Sequence, residues 1–216
     1  MSTADRLRAI YDRMLSHFGP QHWWPAETPF EVMVGAVLTQ NTAWKNVERA
    51  LDNLRRAGVM SLAALSELPT ALLAEYIRPA GYYNVKAARL HNLFHFVTDQ
   101  YGADLRAFFA QPLPQLREQL LSIKGIGRET ADSILLYAAG LPIFVVDAYT
   151  HRILARHQVI DEDCVYDYET IQELFMDNLD CDARLYNEYH ALLVRVGNAY
   201  CKKKNPACAA CPLQGI

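Results

Sequence analysis

The sequence predicts an all-α protein, and three observations carry that expectation. Apolar residues recur at helical spacing in stretch after stretch. No stretch shows the sustained alternation of a half-buried strand or the turn chemistry of a β-hairpin. Ser, Thr, Pro and Gly stand where helices start and stop. With 216 residues, half apolar and a fifth charged, the chain has the composition of an ordinary globular protein with a core of its own.

The elements follow in order. From Ala4 to Phe18, the positions Leu7, Ile10, Tyr11, Leu15 and Phe18 line one helical face. His22-Trp23-Trp24-Pro25 ends this segment, with the tryptophan pair readable either as a core anchor or as an aromatic wall for a flat ligand. Pro29 opens a helix whose Phe30, Val32, Met33, Val34, Ala36, Val37 and Leu38 cover nearly all sides, so it belongs inside. A polar corner follows, Thr39-Gln40-Asn41-Thr42, and then Trp44, a large aromatic that a surface helix does not need. Further helices are expected at 47–57, 61–65 and 70–77, and at 105–109 and 113–121. The C-terminal third adds helices at 148–156, 167–179 and 184–200.

The net charge of −3 gives no global basic signal, so nucleic-acid contact would rest on a local patch. Lys45, Lys124, Arg128, Arg152 and Lys202-Lys203-Lys204 are the candidates. No apolar stretch is long enough to span a membrane, and MSTADRLRAIYDRML reads as an amphipathic helix rather than a signal peptide, so a cytoplasmic protein is expected. Cys201, Cys208 and Cys211 cluster at the end, while Cys164 and Cys181 stand apart. Such clustering without a secretory signal points to metal more than to disulfides.

The stretch Leu121 to Arg152 organises the chain. Gly125-Ile126-Gly127 is a tight turn between helical segments, and from Arg128 the residues Ala131, Ile134, Leu135, Ala138 and Ala139 continue as a helix that ends near Gly140-Leu141-Pro142. Backbone N–H groups at such a turn, with the positive end of the following helix, suit a phosphate. An apolar run, Ile143 to Val146, then delivers Asp147 to the mouth of the next helix, where an aspartate by itself is most often an N-cap.

I-K-G-I-G-R-E-T-A followed by V-V-D-A-Y-T-H-R resembles the helix-hairpin-helix signature of the endonuclease III (HhH-GPD) superfamily of DNA glycosylases. The resemblance extends from about Pro29 to Cys211 and is most like the 3-methyladenine DNA glycosylase branch. It implies an all-α, two-domain fold: residues 29–140 carrying the hairpin, residues 1–28 plus 141–216 as a discontinuous second domain, and damaged double-stranded DNA lying across the cleft between them. It implies a monomer that works on the bacterial nucleoid. Asp147 becomes the catalytic carboxylate. Lys124, Gly125, Ile126, Gly127, Arg128 and Thr130 become the grip on the DNA backbone. Gln40 is the best match to the residue that enters the DNA in place of an extruded base, and Asn41 is the alternative. Gly81-Tyr82-Tyr83-Asn84-Val85-Lys86-Ala87 resembles the family's turn into a long helix, here through Val97, with its tyrosines expected to be mostly packing.

As a base leaves, its sugar gains oxocarbenium character, which a carboxylate stabilises while orienting water. Relatives that also nick the backbone carry, by resemblance, a lysine where this chain has Glu129, and a carboxylate cannot form an imine. The expectation is therefore a monofunctional glycosylase that leaves an abasic site. Trp23, Trp24, Pro25, Trp44 and Glu129 form the expected substrate pocket. Electron-rich rings stabilise an N-alkylated, positively charged purine such as 3-methyladenine. The alternatives are a bifunctional glycosylase/AP lyase for oxidised pyrimidines and a non-catalytic helix-hairpin-helix DNA-binding protein. The cysteines resemble the superfamily's C-x6-C-x2-C-x5-C loop for a [4Fe-4S] cluster, with Cys201, Cys208 and Cys211 in register and position 217 due to be the fourth; zinc or no metal are the other readings.

Overall fold

The structure, a computed structural model, describes residues 2–161 and 167–216. Cys164 lies outside the described residues. The described residues form helices and turns without strands, and none of the helices is long and apolar enough to cross a membrane. The chain divides into two compact units, Ala26–Leu141 and Met1–Pro25 with Pro142–Ile216.

In the discontinuous unit, α1 (Thr3–Phe18) begins with a capping box in which Ser2 and Asp5 satisfy each other's orphan groups, and it buries Leu7, Ile10 and Met14. The C-terminal portion supplies α10 (Ala148–Arg156), α11 (Tyr168–Met176) and α12 (Ala183–Ala199). Their core is aromatic. Phe144, in the extended run before α10, stacks on Phe175 at 3.8 Å with planes 6° apart, and Tyr186 and Tyr189 meet Phe144 edge-on at 5.6 and 5.7 Å. Gln172 Nε2 donates to the Phe144 carbonyl at 2.6 Å, and the Tyr189 hydroxyl donates to Leu7 O at 2.8 Å, tying α1 to α12. The run that ends at Asp147 is thus held on its ring and on its backbone.

The continuous unit is built around α2 (Pro29–Leu38). It has no polar face beyond Glu31, so every residue after Pro29 is buried. Glu31 is kept tolerable by an ion pair with Arg55 of α3 (Trp44–Arg56) and by a bond from Glu27 N at 2.7 Å. Helix α3 buries Val47, Ala50, Leu51 and Leu54, one stripe at helical spacing. After α4 (Leu62–Glu67) and α5 (Thr70–Tyr76), Gly81 and Tyr82 take positive φ to turn the chain into α6 (Tyr83–Tyr101). Helices α7 (Leu105–Phe109) and α8 (Leu113–Ser122) lead to the hairpin and α9 (Arg128–Ser133).

Two departures from the sequence reading have physical causes. Helix α9 does not run regularly to Gly140: Ile134–Ala138 widen into a π-helical turn, with Ala139 N bonding Ile134 O at 3.1 Å. That turn places Ile134, Leu135 and Leu136 all inside, against α2, which a 3.6-residue period alone does not do. Tyr82, expected to pack, is 74 % exposed, because its left-handed backbone turns the ring out of the helix entry.

Lys86 is only 1 % exposed, and its ammonium donates to Leu38 O and Ala80 O, both at 2.8 Å. It thereby fastens the C-terminus of α2 to the turn before α6, satisfying a terminal carbonyl that α2 cannot bond itself. Burial, with Arg89 nearby, lowers its pKa to about 8. Lys86→Met should therefore lower stability by about 1–3 kcal/mol, the cost of two unsatisfied carbonyls, as read from urea unfolding. The folded state holds this proton less tightly than the unfolded chain, whose value is near 10.5. The wild-type advantage over Lys86→Met should consequently widen as pH rises from about 8 toward that value.

Candidate active site

Asp147 is the N-cap of α10. Its Oδ1 accepts from Thr150 N at 2.8 Å and from the Thr150 hydroxyl at 2.9 Å, and its own N–H donates to Thr150 Oγ1 at 3.4 Å, closing a capping box. The residue before it, Val146, donates its N–H to the Tyr168 hydroxyl of α11 at 3.3 Å. The second carboxylate oxygen, Oδ2, lies 3.7 Å from Nε2 of His190 on α12. Burial pushes the carboxyl pKa up and is the largest single influence. His190 and Thr150 together outweigh it, so Asp147 is held below the usual carboxylate range. The site therefore offers a charged carboxylate in a nearly dry setting, with one oxygen committed to the helix cap. Sequence reasoning missed His190: its spacing to Asp147 follows no motif, and a histidine on an apolar helix face reads as core.

The hairpin has its own framework in the continuous unit. Arg117 of α8 reaches Asp132 of α9 with two bonds, 2.7 and 3.2 Å, and Asp132 is fully buried. Asn92 of α6 donates to Lys124 O at 2.9 Å. Gly125 has φ 97, whereas Gly127 is extended at φ −96 and serves as the N-cap of α9 without a side-chain cap bond. Ile126 is buried and its N–H bonds Ile123 O at 3.0 Å, so it anchors the turn inward. Lys124, Arg128 and Glu129 are exposed, and Thr130 is buried.

Gln40 does not point away from this framework. Its Nε2 donates to Gly125 O at 3.2 Å and to Thr130 Oγ1 at 2.9 Å, while Arg89 donates to its Oε1. Both ends of the amide are spent on holding the corner to the hairpin. Asn41, next to it, is exposed on a left-handed backbone with φ 53.

Trp23 and Trp24 lie half-buried in the discontinuous unit with ring centroids 5.1 Å apart, and Pro25 beside them is exposed. Trp44 is half-buried at the first position of α3, in the continuous unit. Arg152, a candidate for the basic patch, is turned to the cysteine loop, donating to Cys201 O at 2.7 Å. Arg156 also serves that loop, donating to Cys201 Sγ at 3.2 Å and Lys202 O at 2.8 Å. Lys45 and Lys202–Lys204 are exposed.

Cys201, Cys208 and Cys211 line one cavity of about 270 Å³ together with Arg156, Tyr200 and Ile216. Among the described residues no three His, Cys, Asp or Glu side chains converge to hold a single metal ion.

An ionised, largely shielded carboxylate thus stands at a helix mouth in the discontinuous unit, and a glycine hairpin between two helices in the continuous one. Residues 34–181 match the HhH-GPD superfamily of base excision DNA repair proteins, and the chain belongs to that family. It is a DNA N-glycosylase. A Methanocaldococcus jannaschii protein, provisionally named a DNA repair glycosylase, is 48% identical over 97% of this chain and 94% of its own length. Among solved structures, H. pylori 3-methyladenine DNA glycosylase bound to 1,N6-ethenoadenine is similar with a TM-score of 0.75 and 30% identity, covering 90% of this chain and 96% of that one. An endonuclease III–DNA covalent intermediate shares the fold with a TM-score of 0.82 at 23% identity, covering 99% and 94%.

The hairpin glycines should separate by experiment. A Cβ at Gly125 would lie 2.4 Å from Arg89 Cγ on a backbone that side chains avoid, while at Gly127 it meets nothing within 4 Å. Gly125→Ala should cost about 1–3 kcal/mol in urea unfolding, and Gly127→Ala should stay within about 1 kcal/mol of wild type.

Proposed function

We propose that this glycosylase is monofunctional and releases alkylated purines such as 3-methyladenine from double-stranded DNA, leaving an abasic site. The observation that carries the reading is Asp147, a shielded carboxylate that stays charged and so can stabilise the oxocarbenium sugar and orient water. Where lyase relatives place an amine nucleophile, Glu129 offers a carboxylate, which cannot attack to form an imine. A cationic N-alkylated purine is a good leaving group, so one aspartate suffices without a strong general acid. Trp44, or alternatively Trp24, is the ring proposed to stack it. The likeness to the H. pylori 3-methyladenine enzyme supports the purine class.

The hairpin would hold the DNA backbone through the N-terminus of α9, with Lys124 and Arg128 alongside. With Gln40 engaged by the hairpin, Asn41 is the residue proposed to fill the gap left by the extruded base. Cys201, Cys208 and Cys211 would hold a [4Fe-4S] cluster, whose contribution when bound is structural, presenting Lys202–Lys204 to phosphates. The protein would act as a monomer.

Asp147→Asn keeps an N-cap, so its melting temperature should barely change while single-turnover base release falls roughly a hundred- to thousandfold. Near-wild-type release would remove Asp147 from the reaction. Borohydride should trap no covalent adduct of the wild-type protein on abasic DNA; an adduct would make it a lyase. Trp44→Ala should cut 3-methyladenine release about ten- to a hundredfold while sparing affinity for undamaged duplex, and Trp44→Phe should restore part. Gly127→Ala should weaken binding to damaged and undamaged duplex alike, because the hairpin contacts phosphate.

A further inference from the structure

Histidine 190 sits on the inward face of α12, 7 % exposed, beside Tyr186, Tyr189 and Leu193. An imidazole in such surroundings costs free energy that an apolar side chain would not, so its placement calls for a polar purpose. The purpose in reach is Asp147. Thr150 occupies Oδ1 with two donors, and Oδ2 is the oxygen left to face a substrate. His190 Nε2 stands 3.7 Å from that second oxygen, longer than a hydrogen bond and close enough for an electrostatic contact.

We infer that His190 is a positioning residue for base release: through Nε2 it fixes the direction of Asp147 Oδ2. This rests on the reading of Asp147 as the catalytic carboxylate. A carboxylate pinned at Oδ1 alone can still swing about its cap bonds. A donor at Oδ2, from another helix, removes that freedom and aims the charge. Among the described residues, the groups acting on the carboxyl are His190 from α12 and Thr150 from its own helix, while α11 contributes the Tyr168 hydroxyl to the neighbouring Val146 N–H. Asp147 is low in pKa because His190 and Thr150 outweigh burial, so loss of His190 must raise it. The form needed for catalysis would then be lost at higher pH.

The test compares His190→Leu, His190→Asn and His190→Gln with Asp147→Asn. Leu fills the space without a donor, Asn is too short to reach, and Gln carries an amide N–H to about the place of Nε2. Each is measured for melting temperature, undamaged-duplex affinity and single-turnover release of 3-methyladenine across pH. His190→Leu should stay folded and bind duplex normally, release base about ten- to a hundredfold more slowly, and show its acid limb displaced to higher pH. His190→Gln should recover most of the rate, and His190→Asn should not. If His190→Leu does not fold, the Asn and Gln pair decides. Equal rates in those two, or a His190→Leu enzyme with wild-type rate and acid limb, overturn the inference. Should Asp147→Asn be inactive while every His190 variant is normal, only the positioning role fails; should Asp147→Asn be fully active, the reading of Asp147 fails first.

Discussion

Keeping one carboxylate charged where water is scarce is the constraint on which the discontinuous unit depends. Burial by itself raises the pKa of Asp147, toward the neutral acid. The fold offsets this with Thr150 on the same helix, which donates to Oδ1, and with the His190 ring of α12, whose Nε2 lies 3.7 Å from Oδ2. Those groups are useful only if Asp147 arrives at a fixed point. The stacked Phe144–Phe175 pair, the edge-on tyrosines and the Gln172 bond to Phe144 O set the extended run that brings it there. Packing, capping and electrostatics thus all act on one side chain.

The continuous unit solves a different problem, the rigidity of a short turn. A two-glycine hairpin has little side-chain surface of its own, so its shape is imposed from outside. Arg117 on Asp132 clamps the helices that flank it, Ile126 plugs it into the core, and Asn92 and Gln40 hold its carbonyls. Gln40 and Lys86 together link the end of α2 to the hairpin and to the entry of α6. A polar corner that reads as a DNA-inserting segment is in this way part of the hairpin's support, while its neighbour Asn41 is exposed on a left-handed backbone.

The cysteine loop is joined to the helix that begins at Asp147. Arg152 and Arg156, both on α10, bond the Cys201 carbonyl, the Cys201 sulfur and the Lys202 carbonyl. Tyr149 of the same helix packs against Gly197, where a Cβ would come within 2.2 Å of its ring. The cysteine loop is therefore held by the same helix that Asp147 caps.

Much of this was legible in the sequence because it depends on neighbours along the chain. Helical periods, the N-caps, the glycine hairpin and the aspartate at the mouth of α10 are local patterns, set by residues within a few positions of one another. The all-buried character of α2 was equally plain, since a helix without a polar face has nowhere else to go. What the tertiary structure alone decided are the pairings between distant positions: His190 with Asp147, Gln40 with Gly125 and Thr130, Arg89 with Gln40, Lys86 with Leu38, and Arg152 with the cysteine loop. The π turn after α9 belongs with them, because it exists to fit three consecutive apolar residues against α2. A side chain's local pattern fixes the face it occupies. Which group it meets there, and hence its charge, its direction and its use, depends on elements dozens of residues away.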